Sequence, residues 1–190
     1  MALDMVGSVI EHLRNVFGNT GRRVAGDAEL SLWEWQDDGS HEFVTLATVG
    51  MSTRPQSVGI DKSCPSKEPR TELFCYSRRS TRQSMEQLLL DLAEYPFRRG
   101  TFLFWWQTVP LGKPIVDASK MVAVFLSMPP LPASDATFEA QGTRVDLLWV
   151  IPISAAELSL FRREGADALE TALMESDTDL SDPFRDSVVT

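Results

Sequence analysis

Apolar residues recur along the chain with two periods, and each period marks a different kind of element. Val6, Val9, Ile10, Leu13, Val16 and Phe17 return every three or four positions, which predicts an N-terminal amphipathic helix stopped at Gly18. Residues 28–35 and 42–49 read as the arms of a hairpin, with Asp38-Gly39 supplying the positive-φ positions of the reversal. The first arm carries Leu30 and Leu32 on one face and Trp33 and Trp35 on the other. It is therefore either a central strand covered on both sides or a strand with one face used for binding.

The stretch 69–97 gives the clearest local reading: a strand, a basic turn and a helix. Leu73, Phe74, Cys75 and Tyr76 form a short apolar run that predicts a buried strand. Ser80 and Gln83 have capping-box spacing, and Met85, Leu88, Leu89 and Leu92 then fall on one helical stripe, with Pro96 and Gly100 as stops. Such a stripe needs a sheet to cover. Residues 101–109, the most aromatic stretch, predict a strand with 120–127 as its antiparallel neighbour. Residues 143–153 predict another strand, and Pro152 marks the end or edge of the sheet. Ser154 and Glu157 form a second capping box, opening a helix interrupted at Gly165 and followed by a short helix packed through Leu169 and Leu173.

Between these elements, residues 50–68 read as a loop punctuated by Pro55, Gly59 and Pro65, either functional or mobile. Cys64 lies within it and reads as an ordinary exposed thiol. The last residues, 175–190, hold five acids and one Arg and read as an extended acidic tail, so the expected division is a domain at 1–176 and a tail at 177–190.

Composition narrows the functional classes. A chain of 190 residues that is 43% hydrophobic buries a core and fits one domain. With 18 basic and 27 acidic residues, net −9, it is a poor general binder of nucleic acid or of an anionic membrane, and no run reaches the length of a membrane span. Two cysteines and no secretion signal point to a reducing cytoplasm. His12 and His41, the two histidines, show no zinc-ligand spacing, so neither a metal nor another cofactor is expected. Gly50-Met51-Ser52-Thr53-Arg54 matches only the first half of a nucleophile elbow, and no phosphate-cradling glycine loop occurs. A small hydrolase or transferase using the 50–68 loop stands as the alternative to a binding domain.

Several stretches together resemble the Suppressor of fused family: TLATVGMS at 45–52, Arg70-Thr71-Glu72-Leu73, and Leu89-Leu90-Asp91-Leu92-Ala93 in the central helix. The strand from Asp146 closing in Pro152-Ile153, the Glu157 helix with its Gly165, and Asp182-Pro183-Phe184-Arg185-Asp186-Ser187-Val188 extend the likeness. The chain departs from it at Ser84-Met85, where many relatives carry Trp-Pro, and in its heavier aromatic run. The resemblance implies a single α/β domain of the α+β type, with a mixed, largely antiparallel sheet covered by amphipathic helices and without catalysis. Animal members restrain a transcription factor in Hedgehog signalling, whereas bacterial members resemble immunity proteins that neutralise polymorphic toxins. The short chain fits the bacterial kind. Its acidity would speed association with a basic toxin.

Four residues are the expected partner-binding set. Arg70 and Glu72, two apart on a strand, share a face and can pair with each other or with neighbouring charges. Trp105 and Trp106, adjacent on a strand, must point to opposite faces, so one should be more exposed than the other.

Overall fold

The computed structural model describes residues 4–36, 42–59 and 66–189. The expected Asp38-Gly39 turn and Cys64 lie outside them. Helix α1 (Met5–Phe17) starts at Asp4, whose carboxylate accepts the Gly7 N–H at 2.7 Å, and ends at Gly18. Strands β1 (Arg22–Gly26), β2 (Ser31–Gln36), β3 (Phe43–Val49) and β4 (Thr71–Arg78) then form an antiparallel run. Helix α2 (Arg82–Arg99) follows, then β5 (Gln107–Pro110), β6 (Met121–Ser127), the single turn α3 (Ala133–Ala136), β7 (Thr137–Ala140) and the long β8 (Thr143–Ser154). Helices α4 (Ala155–Glu164) and α5 (Ala166–Met174) complete the regular structure.

These strands make one mixed sheet in the order β1-β2-β3-β4-β8-β6-β5, with β7 paired to the start of β8. Among the described residues β4 and β8 alone run parallel, and the other pairs are antiparallel. This is the expected single-domain architecture. Strands β1, β7 and the turn α3 were not anticipated, because their short segments carry little periodicity.

Alternation along the central strands sends side chains into two cores. Leu32, Leu46, Leu73, Cys75, Leu148 and Val150 pack beneath the α2 stripe of Met85, Leu88, Leu89 and Leu92. Trp35, Ala47, Phe74, Leu147, Trp149 and Ile151 face α1, α4 and α5 through Val9, Leu13, Leu158, Leu169 and Leu173. Strand β2 is thus covered on both sides, and the Trp35 Nε1–H donates to the Gly18 carbonyl at 2.9 Å. Glu34 on β2 is buried and pairs with Arg22 at 3.0 Å and with Arg82 at the start of α2. That network ties the helix to the sheet.

The structure corrects several local readings. Helix α2 is entered through a 3-10 turn (Arg79–Thr81), and its N-cap is Thr81 without a side-chain cap. The Ser80 and Gln83 capping box does not form; the Thr81 hydroxyl donates instead to the Arg78 carbonyl. Pro96 lies inside the helix rather than stopping it, and Gly100, the C-cap in the left-handed region, is the true stop. The aromatic stretch is a strand only from Gln107; residues 101–106 cross the end of the sheet as irregular chain. Pro152 sits within β8 opposite Val124, in an interior strand rather than at an edge, where its missing N–H falls beyond the last β4 pairing.

The chain after α5 lacks regular structure but does not hang free. Arg185 is buried against Glu157, the Ser119 hydroxyl donates to the Pro183 carbonyl, and Arg78 pairs with Asp179 at 2.7 Å. One Arg and a few turn contacts hold what composition alone reads as an extended tail.

Candidate functional site

Arg70, Glu72, Trp105 and Trp106 all lie at one end of the sheet. Strand β4 begins opposite Asp146, near the start of β8; β6 ends at Ser127, and β5 begins opposite Leu126. The Gln56 side chain links the two halves of this end, donating to Thr71 Oγ1 at 2.5 Å and accepting the Leu103 N–H at 2.7 Å. Three strand spacings, roughly 14 Å across the sheet, and a further offset along the strands separate Arg70 from Trp106.

Arg70 and Glu72 do not pair with each other. Glu72 is fully buried, and its carboxylate collects four neutral donors: Thr48 Oγ1 at 2.7 Å, Ser52 Oγ at 2.6 Å, and the N–H groups of Gly50 and Ser52 at 3.0 Å each. Burial pushes this carboxyl above the usual range, and the four donors pull the other way without cancelling it. Arg70 grips the same turn from the other side, with Nη1 donating to the carbonyls of Ser52 and Thr53 at 2.7 Å each. Ser52 therefore gives its N–H and O–H to Glu72 and its carbonyl to Arg70. Gly50 has φ +112°, and a β-carbon there would collide with the Glu29 carbonyl oxygen, so this turn requires glycine. Arg70 is half-buried at the rim, whereas Glu72 acts from behind it.

Ser52 is also fully buried, so the partial elbow motif presents no nucleophile at the surface. Burial likewise pushes the Cys75 thiol up, away from thiolate chemistry. His12 stacks on Phe138 and its Nε2 contacts the Asp135 carbonyl at 2.9 Å, the pattern of a packed histidine. Among the described residues no group of three or more His, Cys, Asp or Glu side chains could hold a metal ion. A groove of about 530 Å3 runs between α2 and residues 109–115, lined by Leu88, Leu92, Tyr95, Leu111, Ile115 and Arg98.

The expectation that the two indoles point to opposite faces of a strand does not hold: residues 105 and 106 form a turn ahead of β5, and their rings meet edge-on with centroids 6.0 Å apart. Trp105 is 9% exposed on the α2 side and donates to the Leu147 carbonyl at 3.0 Å. Trp106 is 40% exposed, and its Nε1 donates to Glu170 Oε2 on α5 at 3.2 Å. Its backbone has φ +60°, a conformation disfavoured for a bulky side chain, while its N–H bonds the Leu126 carbonyl at 2.6 Å. Glu170 Oε1 accepts the Ser127 hydroxyl at 2.7 Å. Ser127 and Glu170 escaped sequence reasoning: Glu170 is 64 residues from Trp106, and no pattern separates it from other surface acids.

The model of the Suppressor of fused protein family matches residues 26–186. A solved structure from Neisseria gonorrhoeae, described as a Suppressor of fused homolog, superposes with a TM-score of 0.72 at 19% identity, covering 96% of each chain. The structure of a Sufu–Fu complex matches at 0.69 and 13% identity, over 93% of this chain and 86% of the other. Drosophila Suppressor of Fused matches at 0.67 and 14% identity, over 95% of this chain and 50% of that one. No curated protein matches the sequence. No helix among the described residues is long and apolar enough to cross a membrane.

Proposed function

The chain belongs to the Suppressor of fused family, and from that premise we propose that it is a non-enzymatic protein-binding domain. It acts as an immunity or regulatory protein that sequesters a partner, such as a polymorphic toxin in a bacterial cytoplasm. The partner docks on the end of the sheet that carries Arg70 and Trp106, with Glu72 and Trp105 supporting that surface from within.

The observation that carries this reading is the presentation of Trp106. A bulky residue at φ +60° is disfavoured by roughly 1–2 kcal/mol, and strain of that kind concentrates where function requires it. The conformation leaves a large share of the indole in solvent, and exposed Trp and Arg are the residue types in which binding energy concentrates. A protein–protein assembly is also what the Sufu–Fu relative forms. The inward-facing Ser52 favours binding over the hydrolase alternative, since an acyl-transfer nucleophile must reach its substrate.

The test is copurification of the tagged chain with the protein encoded beside it, followed by growth of cells producing that protein with and without the chain. A stable complex that restores growth supports the immunity reading. A chain that neither copurifies nor protects contradicts it.

A further inference from the structure

Among the described residues, four large apolar side chains are notably exposed: Trp106, Met128, Met174 and Phe184, at 40, 38, 46 and 52%. Two of them adjoin one carboxylate. Trp106 donates to Glu170 Oε2, and Met174 lies one helical turn beyond Glu170 on α5; Ser127, at the end of β6, donates to Oε1. These residues come from the starts and ends of three elements and share no sequence signal.

A carboxylate flanked by an indole and a thioether has a definite chemical preference. The indole face attracts a cation, Trp being the best of the aromatic platforms. Met174 offers an adaptable apolar wall for an aliphatic stem. Glu170 is already oriented by two hydrogen bonds, and each carboxylate oxygen keeps a further lone pair for an incoming donor. Helix α5 carries no Lys or Arg; Asp167, one turn before Glu170, and Glu175 and Asp177, just past its end, are exposed acids. This corner is acidic and apolar at once.

We infer that the corner formed by Trp106, Glu170 and Met174 is a receptor for an Arg or Lys side chain on a basic segment of the protein partner. The inference rests on the reading of the chain as a partner-binding domain and names the chemistry the partner brings. The guanidinium or ammonium group pairs with Glu170 beside the Trp106 ring, and its methylene stem lies along Met174. The pre-set carboxylate and the fixed indole reduce the ordering that binding would otherwise require.

The probe is a fluorescein-labelled peptide alternating Arg and Leu, compared with its Glu and Leu counterpart, titrated into the full chain while anisotropy and tryptophan emission are followed. The basic peptide binds, shifts the emission and weakens with added salt, whereas the acidic peptide does not bind. Glu170→Gln and Trp106→Ala each weaken binding by about tenfold or more, the range of a desolvated cation–π or ion-pair contact. Asp91→Asn, which removes an exposed acid on α2, leaves binding unchanged. Equal loss in Asp91→Asn, or none in the two corner variants, overturns the inference, because net acidity would then explain the binding. A chain whose partner capture depends on Trp106 but which ignores the basic peptide refutes this inference and leaves the protein-binding reading standing. A chain that does neither refutes both.

Discussion

Arg185 and Glu157 form a buried, two-pronged ion pair, with Nη1 to Oε1 at 2.6 Å and Nη2 to Oε2 at 2.9 Å. Arg185 Nη2 also donates to the Pro152 carbonyl at 2.8 Å, and Glu157 accepts the N–H groups of Ser154 and Val188. A single pair thus joins the end of β8, the capping box of α4 and the chain's last residues. Removing one partner leaves the other charge buried and alone. Arg185→Ala should destabilise the fold by about 3–5 kcal/mol, read as a lower denaturation midpoint at neutral pH.

The same pair fixes a pH dependence. Burial alone would raise the Glu157 carboxyl, but hydrogen bonds from Arg185, Val188 and Ser154 hold it below the usual glutamate range. A depressed folded value means the stabilisation is complete above the unfolded value, about 4.3, and is lost as pH falls through the folded value. The stability gap between wild type and Arg185→Ala should therefore narrow on acidification. A gap constant from pH 7 to pH 3 would show that the carboxylate charge contributes nothing.

Glu72 behaves in the opposite sense. Its carboxyl is raised by burial, so it favours the fold while protonated and opposes it as pH climbs through the folded value. Glu72→Gln keeps an oxygen for the Gly50 and Ser52 donors and removes the buried charge. Its stability should fall less than that of wild type as pH rises from 4 to 8 in denaturation series. A steeper fall in the variant would reverse the assignment.

Ser52→Ala removes one of the four Glu72 donors and leaves the others in place. The expected cost is about 1–3 kcal/mol of stability, with no change in partner affinity, because Ser52 is out of a partner's reach. An ester or amide hydrolysis rate above background in wild type, abolished by this substitution, would instead restore the hydrolase reading.

How far the sequence could be read depended on the range of each signal. The α2 stripe of Met85, Leu88, Leu89 and Leu92, the Gly18 and Gly100 stops and the Ser154 and Glu157 capping box depend on neighbours within one or two turns, and each is found in the structure. The capping box at Ser80 fails because the chain enters the helix through a 3-10 turn shaped by β4, a tertiary circumstance. The site was legible only in part. Unequal exposure of Trp105 and Trp106 was expected, but its cause is a turn with Trp106 at φ +60° rather than strand alternation, and the Glu170 partner, the four donors around Glu72 and the docking of Arg185 join residues far apart in the chain.

If Trp106 is held out of the core to meet a protein partner, removing its indole must cost affinity without costing the fold. With the copurifying partner in hand, calorimetric affinities of wild type and Trp106→Gly are compared. Glycine accepts φ +60° freely, so relief of strain offsets lost indole packing and the variant should keep wild-type stability within about 1 kcal/mol. Its affinity should nonetheless fall by about thirtyfold or more, the loss expected of a Trp hot spot. A folded Trp106→Gly variant that binds the partner as tightly as wild type would contradict the account.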